Sequence, residues 1–160
     1  MHLVHNMIIF DTLSLPYEKT KIRNIIMEQI IIEVGFVDGN YSAHLPQLPG
    51  CVTVGSSLKE IENNMAYLIP FHLEGQKDSG GEVAPIFNGE YKFIYKLSIE
   101  AMINYYSGIF TKAALSRITG INERQLWHYA AGLHKPRPQQ RKRIEEGLHR
   151  LGEELISLTL

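Results

Sequence analysis

Apolar residues in the first half of the chain recur with two different periods, which separate strands from a helix. Gln29–Phe36 is rich in Ile and Val and predicts a strand, and Tyr41–Leu45 predicts its return partner. Asp38-Gly39-Asn40 between them predicts a hairpin turn, because glycine takes a positive φ without strain. A short third strand is predicted at Cys51–Val54, beyond a proline-rich break.

A helical period follows the third strand. Ser57 with Glu60 three residues later predicts a capping box that begins this helix, and Gly75 is predicted to end it. Pro70 lies inside the helix and is expected to kink or fray its last turn. The apolar face of the helix consists of Leu58, Ile61, Met65, Leu68, Ile69 and Leu73.

The chain then returns to the sheet before it becomes helical to its end. Residues 76–90 are rich in glycine and predict a loop, and Tyr91–Leu97 alternates as an amphipathic last strand does. The order is therefore β-β-β-α-β, a small sheet with one helix on a face. Ser98 is predicted to cap a further helix that runs through Tyr106.

Residues 111–132, TKAALSRITGINERQLWHYAAG, have the pattern of two short helices joined by a tight turn. Gly120 supplies the turn, Asn122 is predicted to cap the second helix, and Ile121 and Leu126 pack it against the first. The residues predicted to point outward are Glu123, Arg124, Trp127 and His128. This pattern indicates a helix-turn-helix, which places one helix in the major groove of DNA. An ordinary pair of helices joined by a glycine turn is the alternative.

A final helix is predicted from about Gln139, after two prolines. Its apolar residues recur at spacings of four and three: Ile144, Leu148, Leu151, Leu155 and Leu158. This seam suits packing on the same helix of a second copy, and packing against the helix-turn-helix of the same chain is the alternative. A homo-oligomer, dimer or higher, would add specificity, because one recognition helix rarely suffices for an operator.

Charge is divided unevenly along the chain, although the overall net charge is only −1. Residues 27–97 carry four Lys or Arg against nine Asp or Glu, a net charge of −5, whereas residues 98–160 carry nine against six, a net charge of +3. Within residues 111–143 there are eight basic residues and one acid, Glu123. The basic segment is typical of a DNA-binding surface, and the acidic one suggests a basic protein partner or a merely solvated surface.

Residues 1–26 follow neither period. We hypothesise that Met27 is the natural start and that the upstream residues are a mispredicted extension; a short ordered arm is the alternative.

Cys51 is the only cysteine, so no intrachain disulfide can form and a reducing compartment is expected. Because neither a membrane-spanning apolar run nor a signal-peptide pattern is found in the sequence, we expect a cytoplasmic protein.

Two segments resemble one protein family, the HicB antitoxins. Residues 41–75, YSAHLPQLPGCVTVGSSLKEIENNMAYLIPFHLEG, are similar to the HicB pattern of a strand, L-P-G-C, a short strand and an amphipathic helix. Residues 106–152 resemble the Cro-type helix-turn-helix that one branch of that family carries. Together the two segments and their linkage cover roughly residues 29–155. Pro70 and residues 1–26 depart from the family pattern.

The resemblance implies an α+β fold and a type II antitoxin without catalysis or cofactor. A degraded RNase H-like β-β-β-α-β domain, residues 27–97, would bind and neutralise a HicA toxin, a small basic mRNA-cleaving protein. The helix-turn-helix domain, residues 98–160, would bind the promoter of its own operon as an autorepressor. The toxin contacts are not assigned to single residues; the sheet face or edge around Tyr41 and His44, with the acids of the first helix, is the expected location.

The positions of residues on the second helix of the motif predict their roles toward DNA. Base edges are expected to meet Glu123, Arg124, Gln125 and His128, with Arg124 on guanine and Glu123 on cytosine. Phosphates are expected to meet Lys112, Asn122, Lys135 and Arg137. Trp127 either stacks on the sugar-phosphate edge or is buried against a partner helix, and burial is the prediction adopted.

Catalysis and metal binding find little support in the pattern of residues. The seven histidines are dispersed, and the acids of the sheet and first helix include no set that must converge on a metal. Cys51 beside a glycine is predicted to be a small core residue. Two other readings stay open: a stand-alone transcription regulator whose N-terminal domain senses a small ligand, and an active metal-dependent nuclease.

Overall fold

The computed structural model of the chain describes residues 28–159, and this part has an α+β fold. A four-stranded sheet with one long helix is followed by four further helices. The prediction about Met27 and residues 1–26 lies outside the described residues. In chain order the elements are β1 (Glu28–Val37), β2 (Asn40–His44), β3 (Val52–Gly55), α1 (Leu58–Asp78), β4 (Tyr91–Leu97), α2 (Ile99–Tyr105), α3 (Lys112–Thr119), α4 (Glu123–Ala130) and α5 (Pro138–Ser157).

The strands lie in the order β3-β2-β1-β4, so β1 and β2 are the inner strands of the sheet. β1 pairs antiparallel with β2 and parallel with β4, and β2 pairs antiparallel with β3. The β1–β2 turn has Asp38 at φ 52° and Gly39 at φ 79°, the positive values that a two-residue turn of type I′ requires. The hairpin predicted from Asp38-Gly39-Asn40 is therefore confirmed.

α1 covers one face of this sheet, and the side chains between them form the first hydrophobic core. Ile30, Ile32 and Val34 of β1 pack in this core with Ile61, Met65 and Ile69 of α1, and all six are at most 2% exposed. Cys51 is also fully buried there, as predicted. The opposite face, called here the open sheet face, exposes Val52 and Val54, and Arg141 of α5 lines a groove there with Glu33 and His44.

The end of α1 differs from the prediction. The helix passes Pro70 and Gly75 and ends at Asp78, where Ser79 caps it and Gly80 takes a φ of 73°. Pro70 is tolerated because only one intrahelical hydrogen bond depends on its missing N–H, while the apolar face packs on both sides of it. The Ser79 hydroxyl donates to the carbonyl oxygen of Gly75 at 2.8 Å, so the last turn is completed beyond the glycine.

α2 to α5 enclose a second hydrophobic core, which Leu97 joins to the first by packing against both. The buried residues of this core are Met102, Ile103, Leu115, Ile121, Leu126, Tyr129 and Ile144. The Ser98 side chain accepts a hydrogen bond from the backbone N–H of Ala101 at 3.0 Å, which confirms the predicted cap of α2. Among the described residues no helix is both long enough and apolar enough to span a membrane.

α5 packs on the helices of its own chain along its first half. Ile144 and Gly147 are buried there, and Leu148 is half-buried. The predicted seam does not continue as a covered face, because Leu155 and Leu158 are exposed. The intrachain alternative therefore describes the first half of α5, and the end of the helix remains uncovered within this chain.

Candidate nucleic-acid interface

α3 and α4 are joined by a tight turn at Gly120. Gly120 takes a φ of 68°, the left-handed conformation that glycine adopts without strain. The Thr119 hydroxyl donates to the carbonyl oxygen of Leu115 at 2.7 Å and accepts from the backbone N–H of Ile121 at 3.2 Å. Asn122 caps α4 by accepting from the backbone N–H of Arg124 at 2.9 Å. The direction in which α4 leaves α3 is therefore fixed by local hydrogen bonds.

Two arginines of α5 donate hydrogen bonds to backbone carbonyls at the same turn. Arg143 Nη2 donates to the carbonyl oxygen of Gly120 at 2.9 Å, and Arg150 Nη2 donates to that of Ile118 at 3.0 Å. These carbonyls lie at the C-terminal end of α3, where backbone acceptors lack intrahelical partners and positive charge is favourable. Between the two arginines, Gly147 lets the helices approach closely, since a Cβ there would lie 2.7 Å from the oxygen of Ile118.

Sequence reasoning missed this role of the basic residues on α5. The basic segment of residues 111–143 was expected to form a DNA-binding surface, whereas Arg143 within it donates to a backbone carbonyl. Lys142 pairs with Glu146 on its own helix at 3.6 Å. The signal was present in the sequence as two arginines seven residues apart with a glycine midway, which is two turns of one helix face.

Glu123 and Arg124 in the first turn of α4 are exposed, while Leu126 and Tyr129 on the opposite side are buried. Gln125 and His128 are half-buried and lie at one side of the exposed face. The four side chains that were predicted to meet base edges therefore lie together on α4, two at its exposed start and two beside a groove.

Trp127 is not buried within this chain, where 57% of the residue is exposed, so its burial against a partner helix stays a prediction. The buried side of α4 is already occupied by Leu126 and Tyr129, so the indole lies outside the core. Lys112 Nζ lies 5.0 Å from the centroid of the Trp127 ring, a cation–π contact between the first residue of α3 and the outer face of α4. Lys112, predicted to contact phosphate, is thus held beside α4.

A groove of about 510 Å³ runs between α4 and the start of α5. The rings of His128 and His134 meet in it edge to face, with centroids 5.2 Å apart. Lys135 and Arg137, both exposed, were predicted to contact phosphate and line the same groove. The lining consists of Gln125, His128, Tyr129, His134, Lys135, Arg137 and Gln140.

Two pKa shifts at this end of the molecule have burial as their main cause. Burial raises the pKa of the Glu100 carboxyl, and the positive charge of Lys135 partly offsets that rise. Burial likewise raises the pKa of Tyr129, and Arg137 partly offsets it. Lys135 and Arg137 therefore lie close enough to Glu100 of α2 and Tyr129 of α4 to affect their ionisation.

The expected toxin-binding location on the sheet is only partly available. Tyr41 is buried in the first core, where its ring meets that of Phe36 edge to face with centroids 4.9 Å apart. Its strand, β2, is an inner strand of the sheet and has no free edge. His44 is exposed on the open sheet face, with Nε2 at 3.6 Å from Glu33 Oε2. Lys96 Nζ lies 3.9 Å from Glu33 Oε1 on the same face. Tyr41 is therefore unsuited to a partner contact, because the core already uses it.

Within residues 28–159 no group of three or more His, Cys, Asp or Glu side chains is placed to hold a metal ion. Burial raises the pKa of the Cys51 thiol, so the thiolate is disfavoured there. Comparisons with protein-family models, with curated proteins and with solved structures found no match to this chain.

Proposed function

We propose that this chain is a HicB-type antitoxin, a binding protein with two macromolecular partners and no catalytic role. Residues 98–160 would bind the promoter of its own operon as an autorepressor. Residues 27–97 would bind and neutralise a small basic mRNA-cleaving toxin of the HicA kind. The proposal rests on the resemblance of residues 41–75 and 106–152 and on the opposite charges of the two halves.

The main support for DNA binding by residues 98–160 is the exposed outer face of α4, which follows the rigid turn at Gly120. Arg124 and Glu123 stand free at the start of this helix, the part that contacts base edges in helix-turn-helix proteins. The turn that supports them is fixed by the Thr119 hydroxyl, which accepts from the backbone N–H of Ile121, and by Arg143 of α5, which donates to the Gly120 carbonyl. A pre-set helix direction lowers the ordering cost of binding.

Roles toward DNA follow from these positions. Arg124 would pair with guanine O6 and N7, and Glu123 would accept from cytosine N4, each worth about 1–3 kcal/mol of discrimination. His128 would meet a neighbouring base edge, and Gln125 would contact a base or a phosphate. The phosphates on either side would meet Lys112 and Asn122 at one end of the motif and Lys135 and Arg137 at the other.

The partner-binding half is proposed to be the degraded RNase H-like domain of the family. Its element order, β-β-β-α-β, and its sheet order, β3-β2-β1-β4 with α1 on one face, are compatible with such a domain. Residues 28–97 carry a net charge of −5, which suits a basic partner and disfavours contact with a phosphate backbone.

A second copy of the chain is proposed as a further partner. Leu155, Ile156 and Leu158 at the end of α5 are all exposed, beyond the part that packs on α3. Pairing of these ends would bury apolar surface and bring two recognition helices to one operator.

Co-expression tests the antitoxin proposal. The chain is expressed with the short basic reading frame adjacent to its gene, and growth and copurification are measured. We expect the reading frame alone to arrest growth, and this chain to restore growth and to copurify with its product. Absence of both toxicity and a complex would contradict the antitoxin function and would favour a regulator that senses a small ligand through residues 27–97.

A further inference from the structure

α1 carries two large aromatic side chains on the face that points away from the sheet. Tyr67 and Phe71, four residues apart, are 71% and 60% exposed. Their rings are stacked, with centroids 6.3 Å apart and planes 12° apart. The other side of the helix packs in the core through Ile61, Met65 and Ile69. Neither aromatic is therefore needed to hold α1 on the sheet.

Carboxylates flank this aromatic pair along the same face. The residues that recur at helical spacing on it are Glu60, Asn63, Tyr67, Phe71, Glu74 and Asp78, and we call this set the α1 stripe. All six are exposed. Hydrogen bonds from the hydroxyl and the backbone N–H of Ser56 lower the pKa of Glu60, so this carboxylate stays ionised at neutral pH. The stripe is thus an apolar centre with carboxylates at each end, and the exposed Lys59 and Lys77 lie beside it on the same helix.

We propose that the α1 stripe is the docking surface for a basic protein partner, with Tyr67 and Phe71 buried at its centre. The proposal rests on the proposed function, whose basic toxin supplies such a partner. Protein interfaces place aromatic residues at a desolvated centre and charged residues at the rim. Lys and Arg side chains of the partner would pair with Glu74 and Asp78 and could also stack on the exposed rings.

Charge complementarity selects this occupant over a second copy of the chain. Two α1 stripes packed against each other would bring carboxylates together at both ends, in either orientation, because acids stand at both ends of each stripe. Like charges across an interface are unfavourable, whereas a basic partner neutralises them. DNA is disfavoured for the same reason.

The open sheet face is the competing location on the same half of the molecule. It exposes Val52 and Val54, but its charges are mixed: Glu33 is shared between His44 and Lys96. Such a face has no net preference for a basic partner. It therefore supplies the matched control, since apolar residues can be removed there without touching the α1 stripe.

The test measures the affinity of the full chain for the product of the adjacent short basic reading frame, by calorimetry. We expect the double substitution Tyr67→Ala and Phe71→Ala to weaken binding at least about 100-fold, as for paired interface hot spots. Glu74→Gln with Asp78→Asn should weaken it about tenfold at low salt and less at high salt. The control Val52→Thr with Val54→Thr should bind as the wild type does.

Each outcome separates this proposal from the proposed function. Unchanged thermal unfolding and DNA binding of the aromatic double variant are expected, because both side chains are exposed and remote from α4. If the aromatic variant binds with wild-type affinity and the Val52 and Val54 variant loses binding, the partner docks on the sheet face. That result would overturn the proposal for the α1 stripe and would not affect the antitoxin function. Absence of binding by the wild-type chain would overturn both.

Discussion

The acidic sheet half and the basic helical half of this chain are built alike inside and differ outside. Each half has its own hydrophobic core, and Leu97 packs against both. Outside, the sheet half exposes stacked aromatics between carboxylates, whereas the helical half exposes Trp127 under a lysine and a groove lined by His128 and Arg137. The cores explain the fold of each half, and the surfaces distinguish the partners that each half suits.

The two halves also use their charges differently. In the helical half, Arg143 and Arg150 donate hydrogen bonds to backbone carbonyls. Fewer basic side chains are therefore available to a ligand than the number of basic residues suggests. In the sheet half, Glu60 completes the cap of α1 yet stays exposed on the α1 stripe. A charge count is therefore a guide to the sign of a surface, while hydrogen bonds decide which charges remain available.

The largest expected effect comes from filling the contact between α3 and α5. Gly147→Ala should lower the free energy of unfolding by about 3 kcal/mol, because the new Cβ would meet the Ile118 oxygen and the backbone of Thr119. The matched control is Gly152→Ala on the same helix, where no atom lies within 4 Å of the new Cβ, and it should gain about 0.5 kcal/mol. Urea denaturation measures both, and equal stabilities would show that α5 does not pack closely on α3.

Arg124→Ala tests whether the helical half reads sequence. Loss of the guanine contact should remove about 2 kcal/mol of discrimination at one base pair, while binding to unrelated DNA changes little. Competition between duplexes that differ at single base pairs measures this. An equal loss of affinity on all sequences would show that Arg124 only neutralises phosphate.

Lys135→Ala should change the salt dependence of DNA binding and leave sequence discrimination unchanged, the reverse of what Arg124→Ala should do. The salt dependence of binding, as the slope of log K against log salt, should become shallower by about one unit, with sequence preference intact. Anisotropy titrations over a range of salt concentrations measure the slope. A slope equal to that of the wild type would remove Lys135 from the phosphate contacts.

The smallest expected effect compares two tyrosines at alkaline pH, the half-buried Tyr95 of the sheet half and the buried Tyr129 of the helical half. Burial, with a smaller contribution from Glu62, raises the pKa of Tyr95 from 10.0 to about 12. Its neutral form is favoured in the folded state, so the stability it contributes is intact below pH 10.0 and is lost as the pH rises toward 12. Tyr95→Phe should remove this loss of thermal stability.

Tyr129→Phe is the comparison for that measurement. Burial also raises the pKa of Tyr129, but Arg137 offsets part of the rise. The substitution in the helical half should therefore change the alkaline loss of stability less than Tyr95→Phe does. A larger effect at Tyr129 would mean that Arg137 lies farther from the ring than the groove geometry indicates.

Much of the fold follows from local rules that act over a few residues. The Asp38-Gly39 turn, the caps at Ser57, Ser98 and Asn122, and the Gly120 turn each depend on a side chain and its nearest backbone, so the sequence predicts them. The end of α1 was mispredicted because Gly75 resembles a stop signal, whereas the Ser79 cap and Gly80 complete the helix a turn later.

The surfaces were harder to predict because they depend on contacts distant in sequence. The exposure of Trp127 follows from which side of α4 the core uses, and the role of Arg143 follows from a carbonyl 23 residues earlier. The Tyr67 and Phe71 pair could have been found, since two aromatics four residues apart lie off the apolar face of a predicted helix.

Binding of the full chain to the DNA upstream of its own gene tests the central claim most directly. Anisotropy at physiological salt would compare a labelled duplex of that region with a scrambled duplex of the same composition. The account predicts at least about 1,000-fold tighter binding to the upstream duplex, as operator-binding proteins show, with that preference reduced about 30-fold in Arg124→Ala. Equal affinity for both duplexes would contradict the assignment of α4 as a recognition helix.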